Sequence, residues 1–236
     1  VNPILRADSI SKSFKGRPIL SSATLRAVPG EVRVLFGRNG IGKSTLLKVA
    51  AGWIAPDAGS VTFAGVSYPS ARLQTLAAAG LFYLPDHDLL SNAFTIGTQL
   101  EMFRRRFSGR TVRECAERMG IADHLAKRPV QLSGGELRRA ELAAVLVRNP
   151  QCLLADEPYR GIAPRDAQDL TRTFTDLARE GVAVVITGHE VPTLVDAAHH
   201  ISWCTSGTTY ELGPPALAVN DERFRREYLG PWYGGK

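Results

Sequence analysis

The chain has 236 residues, 44% of them hydrophobic and 22% charged, with a formal net charge of +6. That length and balance allow one large globular domain or a domain with a small appendage. The modest positive charge suits nucleic acid, an anionic membrane surface or a phosphate ligand without deciding among them. No apolar run approaches the roughly 20 residues that cross a bilayer, and the opening Val1-Asn2-Pro3-Ile4-Leu5-Arg6 lacks the apolar core of a signal peptide. Cys115, Cys152 and Cys204 are too scattered for a metal-ligand spacing or a disulfide framework. The expectation is a soluble, cytoplasmic protein that reaches a membrane only through a partner.

The chain opens with the alternation of an antiparallel sheet at residues 4–7, 11–14 and 22–28, punctuated by Gly16-Arg17-Pro18 and Pro29-Gly30. A strand at 31–36 and a helix at 46–51 follow, then a strand at 60–64 closed by Gly65. Residues 72–79 read as a helix ending at Gly80, and 81–84 as a short buried strand stopped by Pro85. From about 98 to 126 the pattern is helical and includes Arg104-Arg105-Arg106, Arg110 and Arg113. A solvated helix face is the plain reading of that cluster; contact with lipid headgroups or a partner's acidic surface is the functional one. A helix then runs from Ser133 to Asn149-Pro150. Residues 152–155 and 182–186 are continuous apolar runs, the mark of parallel strands buried on both faces. The helix predicted between them, 164–180, completes a βαβ unit. The tail reads as a hairpin-like stretch from Ile201 and a polar helix around 221–228, while the adjacent His199 and His200 read as surface residues rather than metal ligands.

Three motifs carry chemistry. Gly37-Arg38-Asn39-Gly40-Ile41-Gly42-Lys43-Ser44-Thr45 fits G-x-x-x-x-G-K-[ST] between a predicted strand and a predicted helix. Glycines let successive backbone N–H groups turn inward around an anion, and the helix N-terminus adds partial positive charge. Lys43 can reach the terminal phosphates and Ser44 can ligate Mg²⁺, so the chain is expected to bind a nucleoside triphosphate. In the second motif a buried strand ends in Asp156-Glu157-Pro158, placing Asp156 to hold Mg²⁺ and Glu157 to polarise an attacking water. In the third, Ser133 and Glu136 of Leu132-Ser133-Gly134-Gly135-Glu136 fit a capping box. The paired glycines between them leave backbone N–H groups open to an anion.

This combination resembles the ATP-binding cassette (ABC) superfamily over essentially the whole chain, residues 132–136 matching its signature motif. The resemblance implies an α/β fold with a RecA-like P-loop core, an N-terminal antiparallel β subdomain and an α-helical subdomain inserted at about 87–150, all within one nucleotide-binding domain, 1–236. It implies ATP and Mg²⁺ as ligands, hydrolysis of ATP, and a head-to-tail dimer in which Ser133, Gly134, Gly135 and Glu136 cap the γ-phosphate held by a second subunit. Phe14 lies where the family stacks an aromatic ring on adenine, although a strand-core role is the plainer alternative. His189 matches the switch histidine that contacts the γ-phosphate.

Two positions depart from the family. Asp86 stands where a glutamine touches Mg²⁺ and the nucleophilic water. It offers an oxygen ligand but adds negative charge that needs Mg²⁺ or a basic residue to offset it. Ala163 stands where an aspartate crosses the dimer interface. The expectation is that ATP binding persists while hydrolysis or coupling between sites is altered, and a heterodimer stays open. By likeness to cassettes of branched-chain amino-acid importers and lipopolysaccharide exporters, the chain is expected to serve a transmembrane transporter subunit from the inner membrane face, with no nucleic acid involved. The alternative is a soluble ABC ATPase acting on another protein or a nucleic acid, as in iron–sulfur assembly.

Overall fold

The computed structural model describes residues 2–68, 70–107, 109–189 and 191–230, without the side chains of 164–166. The chain begins with the strands β1 (Leu5–Phe14), β2 (Arg17–Ala27) and β3 (Val32–Phe36), followed by helix α1 (Lys43–Ala50). Strands β4 (Ala58–Phe63) and β5 (Val66–Tyr68), helix α2 (Leu73–Ala78) and strand β6 (Leu81–Leu84) lead to three helices, α3 (Ile96–Phe107), α4 (Val112–Arg118) and α5 (Gly134–Arg148). Strand and helix then alternate through β7 (Cys152–Ala155), α6 (Pro164–Arg179), β8 (Ala183–Gly188), α7 (Val191–Ala197) and β9 (His200–Thr205), with β10 (Thr208–Gly213) turning back on β9.

One sheet is antiparallel, in the order β2-β1-β4-β5. The other runs β10-β9-β3-β8-β7-β6, parallel from β9 to β6 with β10 antiparallel at its edge. Its inner strands are buried on both faces, so successive residues serve two different cores. Val34, Leu153 and Val184 pack with Leu142 of α5 and Phe174 of α6 on one face. Leu35, Leu154 and Val185 pack with Leu46 and Leu47 of α1 and with Ile10 and Phe63 of the antiparallel sheet on the other. The loops after β3, β6, β7 and β8 leave the sheet at its carboxyl edge, where open α/β sheets bind ligands.

Four details differ from the sequence-based expectations. The runs at 4–7 and 11–14 form one strand, because the polar break at Ser9 (φ 52°) is a bulge in the pairing and not a turn. The arginine-rich stretch is two helices, α3 and α4, broken at Gly109. A Cβ there would lie 1.8 Å from the Val147 carbonyl oxygen of α5. The tail helix is not simply polar: Phe224 is fully buried and stacks on Tyr228 at 5.2 Å between centroids. His200 is half-buried in β9 rather than at the surface, and the exposed ring of His199 accepts a hydrogen bond from the Val32 N–H at 3.1 Å. Among the described residues no cluster of three or more His, Cys, Asp or Glu could hold a metal ion unaided.

Candidate active site

Residues 37–42 turn the chain from β3 into α1. Gly42 caps the helix at φ 116°, and a Cβ there would come 2.8 Å from Leu20 Cδ2. At Gly37 it would come 2.7 Å from the Cys204 carbonyl oxygen. Glycine is therefore required at Gly42 by its positive φ and at Gly37 by the backbone packed against it. The buried Lys43 ammonium donates to the carbonyl oxygens of Gly37 at 2.7 Å and Arg38 at 3.3 Å. The tail braces this loop from behind. Arg38 donates to the Glu227 carbonyl at 3.0 Å, and Tyr228, whose hydroxyl burial pushes up to about 12, packs on Phe36.

At the end of β7, Asp156 is fully buried. Its carboxylate accepts hydrogen bonds from Ser44 Oγ at 3.0 Å, Thr187 Oγ1 at 2.8 Å and the Tyr83 hydroxyl at 3.0 Å. Three O–H donors are what a buried carboxylate needs when no side-chain cation touches it. Burial first, and the adjacent Asp156 charge second, push the Tyr83 hydroxyl well above its ordinary range, so it stays a donor. Glu157 follows with φ 45°, its N–H donating to Thr187 Oγ1 at 2.9 Å. This left-handed turn carries its carboxylate to Lys43 Nζ (3.3 Å) and His189 Nδ1 (3.0 Å). The residues at three strand ends thus form one connected set.

A cavity of about 610 Å³ opens above this set. Asn39, Gly40, Gly42, Lys43, Ser44 and Thr45 line it from the loop and α1, Asp86, Glu157, Arg160 and His189 from the strand ends, and Phe14 and Ile19 from the antiparallel sheet. Phe14 is 44% exposed, with Lys12 Nζ 5.6 Å from its ring centre. That exposure removes the strand-core alternative for this side chain. Asp86 meets the basic residue its charge calls for: Arg160 Nη1 lies 3.3 Å from Asp86 Oδ2.

Residues 20–160 match the model of the ABC transporter family. The chain belongs to this family. It is 31% identical to the lipopolysaccharide export system ATP-binding protein LptB of Haemophilus influenzae, over 96% of this chain and 97% of that protein. It is 33% identical to the zinc import ATP-binding protein ZnuC of Halorhodospira halophila, over 98% of this chain and 86% of that one. Its fold matches that of MJ1267, an ATP-binding cassette of an ABC transporter in its ADP conformation, with a TM-score of 0.82 at 22% identity, over 93% of this chain and 94% of the other.

In this ABC cassette residues 133–136 are not among those lining the cavity. The capping box is formed: Ser133 accepts from the Glu136 N–H at 3.4 Å, and Glu136 accepts from the Ser133 N–H at 2.7 Å. His124 lies 2.8 Å from the same carboxylate, and these contacts, the Ser133 N–H foremost, pull Glu136 down to about 2. The buried Arg138, one turn further along α5, donates to the carbonyl oxygens of Pro85 at 3.1 Å and Pro158 at 3.0 Å, next to Asp86 and Glu157. It also pairs with the buried Glu141 at 2.7 Å. Sequence reasoning missed Arg138, Arg160, Tyr83 and Thr187 as site residues. The last two left a signal: a tyrosine and a threonine in otherwise apolar buried strands need hydrogen-bond partners.

Proposed function

We propose that the cavity binds ATP with Mg²⁺ and that the chain hydrolyses it as the nucleotide-binding subunit of a membrane transporter, in a head-to-tail dimer with a second cassette. The observation that carries this reading is the connected set Lys43, Ser44, Asp156, Glu157 and His189 at the foot of a glycine loop. In this reading the free backbone N–H groups of the glycine loop and the Lys43 ammonium take the phosphates. Phe14 offers its exposed ring to the base.

The residues fit Mg²⁺, a hard cation held by one or two side-chain oxygens together with substrate phosphates. Ser44 Oγ and Asp156 Oδ1 lie 3.0 Å apart, and Asp86 lines the same cavity as a further oxygen. Bound there, the ion supplies neutralisation of charge on the phosphate oxygens. Glu157 accepts the proton of the attacking water, and His189, 3.0 Å from its carboxylate, holds it in place and senses the γ-phosphate. Ser133, Gly134, Gly135 and Glu136 complete the second subunit's site.

An open groove beside α3 supports a membrane partner. It holds about 360 Å³ and is lined by Leu89, Phe94, Met102, Phe103, Arg106 and Phe107, with Phe94 and Met102 about half exposed. A largely apolar groove of this kind suits a short helix of the transmembrane subunit. Arg104 and Arg105 pair with Glu101 as a solvated face, which leaves Arg106 at the rim. No helix among the described residues is long and apolar enough to cross a membrane, and in this reading the groove is the chain's contact with its transmembrane partner. Relatives named for lipopolysaccharide export and for zinc import are similarly alike to this chain. In this reading the membrane partner, not the cassette, selects the cargo. The direct test is Glu157→Gln: ATP affinity stays within about threefold while turnover falls by roughly a hundredfold or more, the scale of general-base loss. Full turnover in that variant would overturn the assignment of the base.

A further inference from the structure

Arg160 has no part in the reading above, yet it lines the cavity. It is placed by Glu157 itself. The turn that starts at Glu157 with φ 45° is closed by a hydrogen bond from the Arg160 N–H to the Glu157 carbonyl at 3.1 Å. The two side chains therefore leave the same turn toward the same cavity. The Arg160 side chain is 66% exposed, and its one ion pair given by the structure is with Asp86, whose side chain is 22% exposed.

A guanidinium carries five N–H donors in a planar fork, so a single contact through Nη1 leaves most of that capacity for a second anion. The charge around the cavity favours using it. Asp86, Asp156 and Glu157 place three carboxylates at one edge, and Lys43 already serves two carbonyl groups and Glu157. An entering triphosphate adds several negative charges, and the phosphate facing Glu157 is the terminal one if Glu157 activates the attacking water. Arg160 is three residues further along the same turn.

We infer that Arg160 is a second cationic binding residue for the terminal phosphate of the bound nucleoside triphosphate, parked on Asp86 when that phosphate is missing. The pairing keeps the guanidinium ordered over the cavity and offsets the charge that the aspartate brings. When the terminal phosphate arrives, it competes with Asp86 for the same fork. ADP has no such group, so Arg160 discriminates between the two nucleotides. This inference rests on the nucleotide-site reading.

Equilibrium binding of ATP and ADP, both with Mg²⁺, to the wild-type chain and to Arg160→Gln separates the two. The side chain is largely in solvent, so the variant folds, and an unchanged Tm verifies it. The expected result is that Arg160→Gln weakens ATP binding about tenfold or more, as loss of a charge-assisted hydrogen bond does, while ADP binding changes by less than about threefold. Equal loss for both nucleotides, or no loss for either, in a wild-type chain that binds ATP would overturn the role of Arg160 alone. A wild-type chain that binds neither nucleotide would overturn the nucleotide-site reading and this inference with it. Asp86→Asn, compared with the wild-type chain in EDTA so that loss of a Mg²⁺ ligand does not enter, releases the guanidinium, and binding of metal-free ATP is expected to hold or tighten. A loss there as large as in Arg160→Gln contradicts the parking role of Asp86.

Discussion

At Ala163 the departure from the family has a local consequence. The residue is the N-cap of α6, extended at φ −64° and ψ 147°, with no side-chain group to accept an N–H of the first turn. An aspartate in that position satisfies one orphan donor and places negative charge at the helix N-terminus. Ala163→Asp is therefore expected to raise stability by about 0.5–2 kcal/mol in urea unfolding. A turnover change in the same variant reports separately on coupling between sites. At this scale the sequence was most legible where one short pattern determines one geometry. S-x-x-E specified the Ser133 and Glu136 cap, and G-x-x-x-x-G-K-[ST] specified the loop between β3 and α1. It was least legible where a contact joins distant segments. Arg160 and Asp86 are 74 residues apart, and neither carries a local signal for the other. Asp86 alone predicted a basic neighbour, but charge logic does not name it.

Among the elements, α5 does the most to connect the site to the rest of the chain. Its N-terminus carries the Ser133–Glu136 capping box, its second turn sends Arg138 to the carbonyl groups beside Asp86 and Glu157, and its last turn receives the connection from α3. That last joint depends on Gly109. The Arg110 N–H donates to the Val147 carbonyl at 2.9 Å, which brings the backbone at 109 too close for any side chain. Gly109→Ala must push the two segments apart, and overpacking of this kind costs about 1–3 kcal/mol. Chemical unfolding measures that loss, and an unchanged midpoint would contradict the packing described. The break between α3 and α4 was hidden in the sequence because the arginine-rich stretch keeps a helical period across it. The need for glycine comes from α5, more than thirty residues further along.

Across the whole molecule, the order of strands and helices along the chain was readable, since the two apolar runs and the helix between them dictate a βαβ unit. The order of strands across the sheet was not. That β3 sits between β8 and β9 follows from long-range pairing for which no segment carries a marker. The same holds for the pairs that link α4 to α6, Arg118 with Asp176 at 3.2 Å and with Glu180 at 3.3 Å. Being partly exposed, each contributes roughly 0–1 kcal/mol, so they orient the two helices more than they bind them. Residues 133–136 do not line the chain's own cavity, and the proposed function assigns them to the site of a second cassette. The most direct check is the solution mass of Glu157→Gln with Mg²⁺ and either ATP or ADP. With ATP the mass is expected to double, and with ADP to remain that of one chain. A variant that binds ATP and remains a single chain, or that pairs equally with either nucleotide, would contradict a nucleotide sandwiched between two copies of this chain.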